Sequence, residues 1–222
     1  MNQTLCFRAA VLASVVSALS TSAVAENYAL IMGVSAYERQ PLAGVRTDVA
    51  NVRKIARAMN IPDANVTVKE DKALTLQGIR QSLDDFTRKI RPGDRAFVYF
   101  SGHGTSYPNA AGQCEQALVS QEIKYLSKKE FHDRLKPILD KAAKTFVFLD
   151  TCFSGGVIES ARSTTRGDDE AFPSSKFMAS KFGADNGACE PTNISNKGTR
   201  DFEAESAEAT PNYYFLAASA PS

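Results

Sequence analysis

"RAFVYFSGHG", residues 95–104, and "KTFVFLDTC", residues 144–152, decide the fold. Each is a continuous apolar run that stops abruptly at small, polar and glycine residues. Runs of this length without apolar/polar alternation fit strands covered on both faces. Working outward, "NYALIMGVSAY" (27–37) is a third such run, "NVTVKE" (65–70) a short alternating strand, and "NYYFLAASA" (212–220) a last apolar strand. Helical patterns lie between them. Val45, Val49, Val52, Ile55, Ala56 and Met59 recur at helical spacing. They predict a helix over "TDVANVRKIARAMN", 47–60, with Thr47 or Asp48 as N-cap and Pro62 closing it. Ile79, Leu83, Phe86 and Ile90 mark a second helix, and "SKKEFHDRLKPILDKA" a third, disrupted at Pro137. Residues 105–126 read as loop-rich, with one short hairpin around "ALVSQEI". Residues 159–211 are polar, rich in charge, Gly and Pro, and without a sustained period, so they read as a long loop or a partly disordered segment. Strands alternating with helices predict an α/β domain with a mostly parallel central sheet flanked by helices. Ligands of such sheets bind beyond the carboxyl ends of the strands. That rule brings His103 and Cys152 to one edge.

The bulk properties bound the function. The chain has 222 residues, 43% hydrophobic and 23% charged, with a formal net charge of +1. A nucleic-acid binder would carry a clustered basic excess, and none is present. The first 25 residues differ from the rest. One charge, Arg8, precedes a weakly apolar stretch that closes on Ala23-Val24-Ala25. This predicts a signal peptide over 1–25 and a domain over 26–222. The run is too short and too serine-rich for a spanning helix, so no stable membrane insertion is expected after its removal. The mature chain then balances 25 basic against 25 acidic residues and is exported, periplasmic or secreted. Export leaves Cys114, Cys152 and Cys189. Cys114 and Cys189 sit in polar, loop-like sequence and are candidates for a disulfide; three free thiols are the alternative. No cysteine or histidine spacing suggests zinc.

Chemistry concentrates at the two strand ends. A thiolate is a strong nucleophile, and a neighbouring imidazole generates and stabilises it. Cys152 and His103 are therefore candidates for nucleophile and base. The backbone N–H groups of Cys152 and Gly104 are candidates for an oxyanion site. Asp150 lies two residues before Cys152 and points to the same side of an extended strand. A strand-end hydrogen bond is its plainer reading, as an N-cap is for Asp48.

"YFSGHG" together with "FLDTCFSGG" resembles the caspase-like cysteine peptidases (peptidase C14, clan CD), and among them the metacaspase and bacterial orthocaspase branch. The 49 residues from His103 to Cys152 match the caspase spacing of about 50. The resemblance implies a caspase-like three-layer sandwich and a Cys152–His103 dyad. It implies cleavage after Arg or Lys, with Asp48, Ser101 and Asp150 lining the first substrate pocket. Asp150-Thr151-Cys152 stands where metacaspases have Asp-Ser-Cys, Phe153 where they commonly have His, and Val45 where they often have Cys. Self-processing within 159–211, polypeptide substrates and a monomer are implied as well. Calcium, used by many metacaspases, would draw on Glu115, Glu122 and Glu159, although a full set of carboxylates is not evident. A silent caspase-like interaction domain and a gingipain- or legumain-like peptidase are the alternatives. Domains of this kind usually continue with another helix and strand past the segment like "NYYFLAASA".

Overall fold

The computed structural model describes residues 24–112, 114–151 and 212–218. Five strands form one all-parallel sheet: β1 (Asn27–Gly33), β2 (Val66–Glu70), β3 (Arg95–Ser101), β7 (Lys144–Asp150) and β8 (Tyr213–Ala218), in the order β2-β1-β3-β7-β8. The three runs richest in apolar residues thus occupy the centre. Leu30, Ile31, Met32, Val98, Phe100 and Val147 are all inaccessible to solvent or nearly so.

Among the described residues, three helices cover the sheet: α1 (Gly44–Ala58), α2 (Leu76–Lys89) and α3 (Lys128–Lys141). From β1 the chain steps to one side, to β2. From β2 and then from β3 it steps to the other side. Right-handed crossovers therefore place α1 on one face, and α2 and α3 together on the opposite face. Accordingly α1 packs on β1 and β3, while α2 packs against α3. The chain reverses its direction of travel between β1 and β3. Their carboxyl ends diverge there and leave the crevice that such sheets use for ligands.

The first helix starts earlier than expected. Its N-cap is Ala43, without a side-chain bond, so neither Thr47 nor Asp48 caps it. The reason is packing. Gly33 brings β1 so close to α1 that a Cβ there would stand 2.4 Å from Cγ2 of Val49 and 3.1 Å from Cγ1 of Val45. Burial of Val45 requires the helix to begin before it. Thr75 and Ser127 do cap α2 and α3, accepting from the N–H groups of Gly78 and Glu130.

Two further expectations need correction. Pro137 does not interrupt α3, which runs through it. The missing N–H forfeits one bond to the Asp133 carbonyl, and burial of Phe131, Leu135 and Ile138 along one stripe carries the helix across the gap. Residues 105–126 are not mainly loop. They carry a second, antiparallel sheet of β4 (Gly104–Pro108), β5 (Cys114–Val119) and β6 (Tyr125–Ser127). The expected hairpin is β5–β6. "GTSYP", β4, has no apolar signature, yet Thr105 and Ser106 are buried in it.

Candidate active site

Parallel pairing sets one row across the carboxyl end of the large sheet. Gly33 pairs with Ser101, Ser101 with Asp150, and Asp150 with Ala218. Residues paired in this way share a face, and the Gly33 face is the one that α1 covers. Asp48, one helical turn inside α1, lies over this row and accepts a hydrogen bond from the Ser101 hydroxyl at 3.2 Å. Asp150 accepts one from the Tyr99 hydroxyl at 3.3 Å. The structure thus brings Asp48, Ser101 and Asp150 together at the strand ends. Tyr99, which the sequence reading missed, links them. Its ring is buried and its hydroxyl lies beside both Ser101 and Asp150. Burial first, then the charges of Asp150 and Asp48, hold that phenol protonated well above its usual range.

His103 follows two residues after Ser101 and is wholly buried. Nε2 lies 2.7 Å from the Gln40 carbonyl. A carbonyl only accepts, so Nε2 carries the proton in the neutral ring and Nδ1 keeps its lone pair. No hydrogen-bond partner meets Nδ1 among the described residues. The loop after β1 supplies this orientation. Gln40 adopts a left-handed φ of 54°, which turns its carbonyl toward the imidazole. Asp71 anchors the start of the loop, accepting from the backbone N–H groups of Ser35 at 2.7 Å and Ala36 at 2.8 Å. Tyr37 tilts its ring against that of His103, with centroids 4.5 Å apart. Neither Tyr37 nor Gln40 stood out in the sequence. A backbone carbonyl leaves no signature at all, whereas an aromatic at the end of a strand run could have been suspected.

Gly104 opens β4. The Val119 N–H donates to the His103 carbonyl at 3.0 Å, and Gly104 pairs with Leu118 in the next position. Antiparallel ladders alternate bonded and non-bonded pairs, so the Gly104 N–H points away from β5.

Cys114, at the start of β5, is disulfide-bonded. Cys189, its expected partner, lies outside the described residues, as do Cys152 and Glu159. Glu115 accepts from the Tyr107 hydroxyl at 3.2 Å, and Glu122 pairs with Lys124 at 3.0 Å. Among the described residues, no three His, Cys, Asp or Glu side chains converge to hold a metal ion. Glu115 and Glu122, engaged by Tyr107 and Lys124, form no calcium site by themselves. No helix among the described residues is long and apolar enough to cross a membrane.

Curated relatives include three metacaspases of Arabidopsis thaliana. Metacaspase-7 is 27% identical over 128 residues, 54% of this chain and 32% of that protein. Metacaspase-6 is 31% identical over 93 residues, 40% and 25% respectively. Metacaspase-4 is 26% identical over 157 residues, 64% and 37%. The matched region thus spans between a quarter and somewhat over a third of the length of these relatives. A solved protein from Geobacter sulfurreducens superposes with a TM-score of 0.49 at 21% identity, covering 57% of this chain and 50% of that one; such a match adds nothing to the fold described above. The caspase-domain family profile, Peptidase_C14, matches residues 26–219, and over that span the chain belongs to this family of cysteine peptidases.

Proposed function

We propose that the chain is a cysteine endopeptidase that cuts polypeptides after Arg or Lys. The observation that carries this reading is the pinned imidazole of His103, with Nε2 held by the Gln40 carbonyl and Nδ1 left as the basic nitrogen. The pairing of Ser101 with Asp150 supports it. That ladder has an offset of 49 residues, the same 49 that separate His103 from Cys152. The two proposed catalytic residues therefore follow at equal distance from a shared row.

In the proposed mechanism, Nδ1 of His103 takes the proton from the Cys152 thiol. The thiolate adds to the scissile carbonyl, and the oxyanion is met by the N–H groups of Cys152 and Gly104. The imidazolium returns its proton to the leaving amine, which departs and leaves a thioester. Water, deprotonated by the same imidazole, then releases the acid and restores the thiol. Asp48 and Asp150, with Ser101, would receive the substrate's guanidinium or ammonium, since carboxylates bind a guanidinium through two charge-assisted bonds. Self-cutting within 159–211 follows from the same preference, with Arg162, Arg166, Lys176, Lys181, Lys197 and Arg200 as sites. Signal removal after Ala25, export, a monomeric state and a Cys114–Cys189 bridge complete the reading.

Release from fluorogenic peptides ending in Arg, Lys, Asp or Asn tests it, with calcium or a chelator, for wild type beside Cys152→Ala and His103→Ala. Turnover after Arg and Lys alone, abolished in both variants, is the expected result. Release after Asp or Asn would overturn the pocket assignment. Equal signal from wild type and Cys152→Ala would favour a silent interaction domain. Mass spectrometry of the same preparations reads signal cleavage, internal cuts and the bridge together.

A further inference from the structure

We propose that Tyr37 is a positioning residue that fixes the catalytic base by placing its hydroxyl inside a β-ladder. The inference rests on the reading of His103 as that base. His103 and Val119 face each other at the mouth of the β4–β5 pair, one step beyond Gly104 and Leu118. In an ordinary antiparallel pair these residues would exchange two bonds. Here one is made, from the Val119 N–H to the His103 carbonyl at 3.0 Å. The reciprocal bond is replaced by the Tyr37 hydroxyl, which accepts from the His103 N–H at 2.9 Å and donates to the Val119 carbonyl at 2.9 Å.

Several observations show that the insertion is built in. Tyr37 is 3% exposed, and burial keeps its phenol protonated far above neutral pH, so both bonds persist across the working range. The adjoining residue must be glycine, because a Cβ at Gly102 would stand 2.7 Å from this hydroxyl. The Tyr37 ring also packs on the imidazole it positions, at an interplanar angle of 53°. One side chain thereby spaces the backbone of His103 from β5 and braces its ring. Three residues further along the same loop, the Gln40 carbonyl accepts the hydrogen bond from the Nε2–H.

The consequence of removing the oxygen is specific. In Tyr37→Phe the His103 N–H and the Val119 carbonyl lose their shared partner, and the gap between them closes to the usual ladder bond. That closure restores the backbone bonding, so little stability is lost. It also draws His103 toward β5 and away from the Gln40 carbonyl.

The experiment compares wild type, Tyr37→Phe and Leu83→Ala, the last a buried change in α2 that lowers stability without touching the site. The chain has only two histidines, so 15N-histidine labelling and long-range 1H–15N spectra resolve the His103 ring, with His132 as internal reference. Wild type is expected to show His103 as a single neutral Nε2–H tautomer. Tyr37→Phe is expected to show mixed or broadened tautomers, with kcat lowered roughly 10- to 100-fold and KM within about twofold. Leu83→Ala should lower Tm while leaving the His103 signals and kcat in place. Unchanged His103 signals and a kcat within about twofold in Tyr37→Phe would overturn the proposal. If the His103 signals shift as expected but no form cleaves any peptide, the positioning stands and the peptidase reading falls.

Discussion

Gln40 serves His103 through its carbonyl, and its left-handed φ of 54° is what aims that carbonyl. Replacing Gln40 by Gly relieves the backbone strain and keeps the acceptor. Gln40→Gly is expected to retain kcat within about twofold, whereas Gln40→Pro, which forces φ negative, should lose most activity in the same peptide assay. The acids behave oppositely, because their side chains are the function proposed for them. Asp48→Asn and Asp150→Asn should each lower kcat/KM for Arg and Lys peptides by roughly 30-fold or more, the usual cost of unpairing a recessed charge. An unchanged kcat/KM in both would remove them from the pocket. The strand-end positions of Ser101, His103 and Asp150 were legible because each closes a recognisable apolar run. Tyr99 and Tyr37 were not, since a buried tyrosine in an apolar run reads as core until its hydroxyl is seen to reach Asp150 or the His103 backbone.

Among the elements, α2 and α3 are joined by a compact ionic cluster. Arg80 meets Glu130 through both carboxylate oxygens, at 2.7 and 2.8 Å, and Arg134 bonds Glu130 at 3.0 Å and Asp84 at 2.8 Å. The Arg80 hydrogen bond chiefly, with help from Arg134, holds the Glu130 carboxyl below its ordinary value of 4.5. A carboxyl lowered on folding adds stability above its unfolded pKa and loses it as pH falls through the folded one. Glu130→Gln should therefore be less stable than wild type at pH 7, by of order 1 kcal/mol after solvent screening, and the gap should close in acid below the ordinary value. Thermal melts of the two proteins from pH 7 to pH 3 check this; a constant gap would refute it. In the same helix, Pro137→Ala restores the bond to the Asp133 carbonyl and should raise Tm by an amount worth about 1–2 kcal/mol. The strands and helices of the large sheet were readable from apolar periodicity. The start of α1 was not, because the contact of Val45 and Val49 with Gly33 outweighed the capping preference of Thr47 and Asp48. Nor was β4, whose buried Thr105 and Ser106 give no apolar signal.

For the whole molecule, the fold class followed from the order of elements alone, and the crevice from the reversal of travel between β1 and β3. What the order could not convey is how the end of the described chain is held. The last strand, β8, joins the sheet through parallel pairing with β7, from Thr145 with Tyr213 to Asp150 with Ala218. The amino end of this junction is reinforced at Thr145, whose N–H donates to the Asn212 carbonyl at 2.7 Å, and by the Asn212 side chain, which donates to the Leu139 carbonyl at 2.9 Å. A cut between Asp150 and Tyr213 would sever the chain but leave this ladder whole. Folding would then change molecularity. The intact chain folds as one body, independent of concentration, whereas the cut protein, once unfolded under reducing conditions, must find its other piece in solution. Its Tm should rise with protein concentration and its refolding should turn second order. Such a protein would recover its shape readily when concentrated and only slowly when dilute, so a single cut would make the speed of recovery a property of the solution as much as of the chain.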